Sequence, residues 1–188
     1  MKRLLLLLLV MALNACNNDD DTPTNPIDQL PPATQTGANT IGCLVNGEVL
    51  LPKGSPLAGP VKSAFYQLID GECFFGLSLN NRNGERKKSI RVFVSRIKLI
   101  KNQIVTIDKN FTDDGEYTGG GGEYGVSTSV LEGTIGYVTA STVTGELTIT
   151  HLDESKQIIS GTFWFDAVNN DGEIVEIREG RFDMPYSK

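Results

Sequence analysis

Across residues 40–183 apolar residues recur at every second position, the spacing at which strand side chains share one face. Ile90, Val92 and Val94 alternate with Arg91 and Ser95, and Leu147 and Ile149 alternate with Glu146, Thr148 and Thr150. Phe163, Phe165 and Ala167 oppose Thr162, Trp164 and Asp166, while Val175 and Ile177 oppose Glu176 and Arg178. This pattern predicts strands at 40–45, 48–51, 63–69, 72–79, 88–95, 103–107, 144–151, 157–167 and 173–182, with shorter pieces near 123–126 and 134–139. Asn46-Gly47 is a hairpin signal, because both residues tolerate the positive φ of a tight turn. Asp153-Glu154-Ser155 and Asn169-Asn170-Asp171-Gly172 supply two further turns. Residues 115–125 contain four consecutive glycines, 119–122, and read as a mobile loop. One dry and one wet face per strand implies antiparallel sheets closing on a shared core, so the fold expected is an all-β antiparallel sandwich or flattened barrel. No amphipathic helix and no internal repeat interrupts the pattern.

The first sixteen residues follow a different rule. Lys2 and Arg3 precede ten apolar residues, Leu4 to Leu13, and Asn14-Ala15-Cys16 closes the run. A membrane-spanning helix needs roughly 20 apolar residues, so a run half that length reads as the core of an export signal. Leu13, Asn14, Ala15 and Cys16 resemble the lipobox of bacterial lipoproteins, in which the cysteine thiol takes a diacylglyceryl thioether and becomes the mature N-terminus. Each buried lipid methylene contributes about 0.8 kcal/mol, and stable anchoring takes more than one chain. Residues 1–15 are thus expected to be a signal peptide and Cys16 the lipidation site, with the membrane as a partner through that lipid. Asn17-Asn18-Asp19-Asp20-Asp21 resembles the surface-export signal of Bacteroidota lipoproteins, which implies an outer-membrane anchor with the protein facing the medium. Pro23, Pro26, Pro31 and Pro32 stand among polar residues with little to bury, so 16–38 is expected to be a flexible, extended tether and 39–188 a single β-rich domain.

Charge narrows the partners. Without Lys2 and Arg3 the chain has 15 basic and 23 acidic residues, a formal charge of −8. Nucleic acid, whose binding needs clustered Lys and Arg, is excluded on that ground. Cys43 and Cys73 remain beside Cys16. In an exported protein they suit either one disulfide or two buried thiols, and alternation points both inward.

The run Leu30-Pro31-Pro32-Ala33-Thr34-Gln35-Thr36-Gly37, continuing into Gly42-Cys43-Leu44-Val45-Asn46-Gly47, resembles the opening of a family of Bacteroidota lipoproteins of unknown function. The close is similar as well: Leu147-Thr148-Ile149-Thr150, Ile159-Ser160-Gly161-Thr162-Phe163 and Glu179-Gly180-Arg181-Phe182-Asp183. The resemblance spans residues 30–183 and implies location and fold; it brings no activity, cofactor or catalytic residue.

The residues that bear chemistry point weakly to catalysis. His151 is the sole histidine, no Gly-x-Ser-x-Gly elbow accompanies it, and one imidazole is too few for a usual zinc site. Asp113-Asp114-Gly115-Glu116 and the 169–173 segment offer oxygens to calcium, without the spacing of a calcium loop. The glycine run lacks the Lys-Ser/Thr ending of a phosphate loop. Trp164, on the polar side of its strand, is the candidate ligand contact; Phe74 and Phe93 share that out-of-phase placement. Either it stacks on a glycan or anchors a protein, or a second layer covers it. The reading is a surface-tethered lipoprotein with a non-catalytic binding or accessory module and no cofactor. An envelope- or glycan-acting hydrolase, with converging carboxylates, and a barrel carrying an apolar ligand are the alternatives.

Overall fold

The computed structural model describes residues 25–110, 117–127 and 133–188. The expected signal peptide, Cys16, the acidic run behind it and the first calcium candidate lie outside the described residues. Within them the chain is all β: β1 (Thr40–Val45), β2 (Glu48–Leu50), β3 (Lys62–Ile69), β4 (Glu72–Asn81), β5 (Lys87–Ser95), β6 (Ile104–Lys109), β7 (Gly119–Ser127), β8 (Thr134–Val138), β9 (Gly145–Asp153), β10 (Ile158–Val168) and β11 (Ile174–Pro185). They form one sheet in the order β2-β1-β11-β10-β9-β6-β7-β5-β4-β3, with β8 joining β7 and β10. The pairings are antiparallel except β6 with β7, which run parallel. Tight turns set the local register. Asn46 and Gly47, at φ 48° and 81°, join β1 to β2, and Asp70 and Gly71, at 50° and 85°, join β3 to β4.

The sheet curls until its far edge meets the C-terminal residues: Tyr66 N–H donates to the Ser187 carbonyl at 2.9 Å, and Ser187 N–H to that of Ala64 at 3.1 Å. This architecture fits the sandwich or flattened barrel expected from alternation. The inward faces are those read from the sequence, with Ile90, Val92, Val94, Leu147, Ile149, Phe163, Phe165, Ala167, Val175 and Ile177 all in one buried cluster. Phe75, Phe163 and Phe182 meet ring against ring inside it.

The glycine run corrects the expected mobile loop. Residues 119–122 open β7 and pair along their length with β5. The reason is cross-strand packing. Phe65, Gly76, Phe93 and Gly121 lie directly opposite one another across β3, β4, β5 and β7, so each ring lies over a glycine. A Cβ on Gly76 would stand 2.1 Å from the Phe65 ring, and one on Gly121 2.1 Å from Phe93 and 2.5 Å from the Lys109 carbonyl. Covered in this way, and flanked by Tyr117 at 5.8 Å, Phe93 is buried despite its phase.

The expected flexible tether needs a second correction. Residues 25–38 are docked on the domain from a 3-10 turn at Pro26–Gln29 onward, with Leu30 buried. The anchor is Asp183, completely buried on the outer face of β11. One carboxylate oxygen accepts from the Thr34 hydroxyl at 2.6 Å, Thr36 N–H at 2.9 Å, the Thr36 hydroxyl at 3.3 Å and Ala38 N–H at 3.0 Å. The other accepts from Gly37 N–H at 2.8 Å and the Ser160 hydroxyl at 2.8 Å. Burial alone would raise the carboxyl pKa, yet donors from Thr34, Ala38, Thr36 and Ser160 outweigh it and hold the group well below the usual carboxylate range. A segment with little to bury is ordered by hydrogen bonds to one ion.

Candidate ligand-contact face around Trp164

β10 alternates cleanly until its middle, where the register with β11 breaks. Phe163 pairs with Gly180 and Phe165 with Ile177, so Trp164 faces both Arg178 and Glu179. Glu179, at φ 54°, is the extra residue of this bulge. Bulges re-aim side chains and recur beside binding sites. Here the bulge brings Arg178 over the indole, with the guanidinium carbon 5.5 Å from the ring centroid, in a cation–π contact. The guanidinium is fixed on its other sides, at 2.6 Å from the Asp166 carboxylate, 3.5 Å from Glu176, and donating to the carbonyls of Phe165 at 3.2 Å and Ile177 at 3.0 Å. It forms a wall of the site.

Trp164 itself is 38% exposed, so among the described residues no second layer covers it. Its Nε1–H points to Glu146 on β9 at the long distance of 3.4 Å. Around the ring lies an open depression of about 570 Å³ lined by Ala33, Thr162, Phe163, Trp164, Arg178 and residues 179–181. Arg181 closes one side, held to Glu179 at 3.1 Å. Ala33 belongs to the docked N-terminal segment, so the Asp183 anchor also completes the rim. An indole set among a fixed cation and carboxylates can take an apolar ring face while offering hydrogen bonds at its edge.

The other candidates stand apart from this face. His151, on β9 opposite Ser160, is half-buried. Cys43 on β1 and Cys73 on β4 are free thiols; Cys43 is buried, and burial pushes its pKa up to about 12, while Cys73 is half-buried. Phe74 is half-buried. In the 169–173 segment the Asn169 side-chain oxygen accepts from Asp171 N–H at 3.0 Å and Glu173 N–H at 2.9 Å, so the turn consumes the oxygen offered to calcium. Among the described residues no group of three His, Cys, Asp or Glu side chains could hold a metal. Asp153 and Asp183 have their pKa values lowered; at Asp153 the donors are Ser155 and Lys156. A glycosidase's acid needs the opposite shift, so neither suits that role.

Sequence reasoning singled out Trp164 and missed Arg178, Glu179 and Arg181 as its companions. The available signal was Glu179-Gly180 inside an alternating strand, where an isolated glycine marks a bulge.

Fold and site together define an all-β domain with an exposed aromatic-cationic face on its sheet. Residues 95–184, running from the end of β5 through nearly all of β11, match a family described as "Domain of unknown function (DUF6252)". Comparison with curated proteins and with solved structures gives no match. The matched segment contains Trp164, its three companions and Asp183, and leaves out the docked segment that Asp183 holds.

Proposed function

We propose that this protein is a lipoprotein anchored through Cys16 in the outer membrane and exposed at the cell surface, where it presents a non-catalytic binding module. Trp164 is its ligand contact and a glycan its ligand class. The observation that carries the binding role is the half-exposed indole under a fixed guanidinium, in a depression rimmed by Glu179 and Arg181, with Glu146 at the indole N–H. Saccharide rings pair an apolar C–H face with a hydroxyl edge, and this site offers a partner for each. Support for the anchor comes from the sequence: a short apolar run ending in Leu13-Asn14-Ala15-Cys16, then an acidic cluster. Docking of residues 25–38 leaves residues 17–24 as the link to Cys16. At no more than about 3.6 Å per residue, the nine steps from Cys16 to Asn25 would keep the start of the docked segment within about 32 Å of the lipidated residue.

Trp164 is the single tryptophan of the chain, so its fluorescence reports on the site without labelling. Titration with a panel of soluble oligosaccharides should shift that emission with at least one of them. Trp164→Ala, read by calorimetry, should weaken that binding at least about tenfold, the loss of roughly 1.4 kcal/mol, with the circular dichroism of the folded sheet retained. A panel that leaves the emission unmoved would overturn the glycan reading. For the anchor, mass spectrometry of the mature protein should find a triacylated N-terminal Cys16, and Cys16→Ala should abolish membrane retention; an unmodified start elsewhere would end that assignment.

A further inference from the structure

A depression of about 910 Å³ lies at the opposite end of the sheet order from β2 and includes residues 66–69 of β3 in its lining. Successive strand side chains point to opposite faces, so four consecutive residues border one depression where it passes the strand's edge, and Gly71, Glu72 and Cys73 carry this lining round the β3–β4 turn. That edge is incomplete. In the described structure Ser187 alone pairs with the outer side of β3, bonding to Ala64 and Tyr66. Alternation of the ladder turns the N–H and C=O of Leu68 to the same side, beyond the reach of Ser187. Leu68 shares the inward phase of Ala64 and Tyr66, yet it is 71% exposed, and Ile69 beside it is exposed as well. Edge strands are normally blunted by charge, proline or cover, and Gln67, Leu68 and Ile69 provide neither charge nor proline.

A second observation points to an absent partner. Tyr186 lines the same groove, is only 4% exposed, and its hydroxyl has no hydrogen-bond partner among the described residues. Tyr66, whose ring meets Tyr186 edge-on at 5.8 Å, has its hydroxyl oxygen engaged by Leu99 N–H at 2.9 Å. Buried hydroxyls are almost always satisfied, so the free one marks a place where an acceptor is missing. The rim adds Arg96, Lys98 and Lys188 against Glu72 and Glu154, and Glu72 is held by Arg96 at 2.8 Å. In an acidic protein this is a local excess of positive charge.

We propose that the outer edge of β3 at residues 66–69 is a docking site for an extended peptide segment of a partner protein, which continues the parallel pairing begun by Ser187 and adds a strand to the sheet. Its backbone bonds to Leu68, an apolar side chain covers Leu68 and Ile69, an acceptor reaches the Tyr186 hydroxyl, and an acidic residue meets Lys98 or Lys188. This is strand addition at an open edge, with main-chain bonds giving affinity and alternate side chains giving selectivity. The site is separate from the Trp164 face, and neither reading depends on the other.

The test is a display library of random peptides about eight residues long, a strand's ordinary length, selected on the full chain. Enriched sequences should alternate apolar and acidic residues, and on titration they should slow hydrogen exchange at the Leu68 amide. Leu68→Pro, which removes the edge donor, should weaken binding at least about tenfold, the worth of one main-chain hydrogen bond. If that variant does not fold, the same peptide N-methylated on its strand-facing amides provides the equivalent loss against the unaltered protein. Tyr186→Phe should weaken binding several-fold without lowering the melting temperature. The proposal is overturned if no alternating family is enriched, or if N-methylated peptides bind equally well. Binding of dodecanoate in place of peptide would overturn it too, as would dimers of this chain that Leu68→Pro dissolves.

Discussion

Asp183→Asn tests the strongest link between sequence and fold. The native carboxylate accepts six hydrogen bonds and, being fully buried, has no water to replace any that are lost. Asparagine has nearly the same shape but one oxygen, which does best in the place that accepts from Thr34, Thr36 and Ala38. Its amide then faces Gly37 N–H and the Ser160 hydroxyl. Ser160 can turn and accept; Gly37 N–H cannot. Two charge-assisted bonds at about 1.5–3 kcal/mol each, partly recovered through Ser160, put the cost near 3 kcal/mol. The loss has a ceiling, because residues 25–38 can leave for water without unfolding the sheet. At about 2–4 °C per kcal/mol for a domain of this size, thermal denaturation should show a fall of about 6–12 °C, or new proteolytic cleavage within residues 25–38. The pH dependence follows from the sign of the shift. The folded-state pKa of Asp183 is lowered, so its stabilisation is complete above the ordinary carboxylate pKa near 4 and is lost as pH falls below it toward the folded value. The gap between wild type and Asp183→Asn should therefore be full at pH 7 and shrink below about pH 4. Equal melting temperatures and equal protease resistance at pH 7 would refute the anchor.

Gly121→Ala places a methyl group against the Phe93 ring and the Lys109 carbonyl, and because backbone stands on one side the strand must shift. Denaturant unfolding should show a loss of about 3 kcal/mol, at the upper end for overpacking; Gly136→Ala, with open space at its Cβ, should lose much less. Under native conditions N-ethylmaleimide should label Cys73 and spare Cys43, whose buried thiol has its pKa raised to about 12, with mass spectrometry counting the adducts. Equal labelling would show that β1 and β2 open readily.

Most of the β content was legible because alternation is local: Ile90-Arg91-Val92 or Phe163-Trp164-Phe165 states which side is dry without reference to any other strand. The hairpin at Asn46-Gly47 and the turn at Asn169 were legible for the same reason, since each depends on its own φ or side-chain oxygen. Partners distant in sequence were not. Nothing local in four consecutive glycines shows that Phe93 and Phe165 will lie across Gly121 and Gly122 and make them a strand. Nothing in a proline-rich run shows that Thr34, Thr36, Gly37 and Ala38 will find an aspartate 145 to 149 residues away. The sequence by itself determined the alternation along each strand, and so put Trp164 on the polar side of β10 while leaving open what covers it. Tertiary structure decided what stands beside it, because the bulge at Glu179, the pairing of β1 with β11 and the unfinished edge of β3 arise only when separate strands share one ladder.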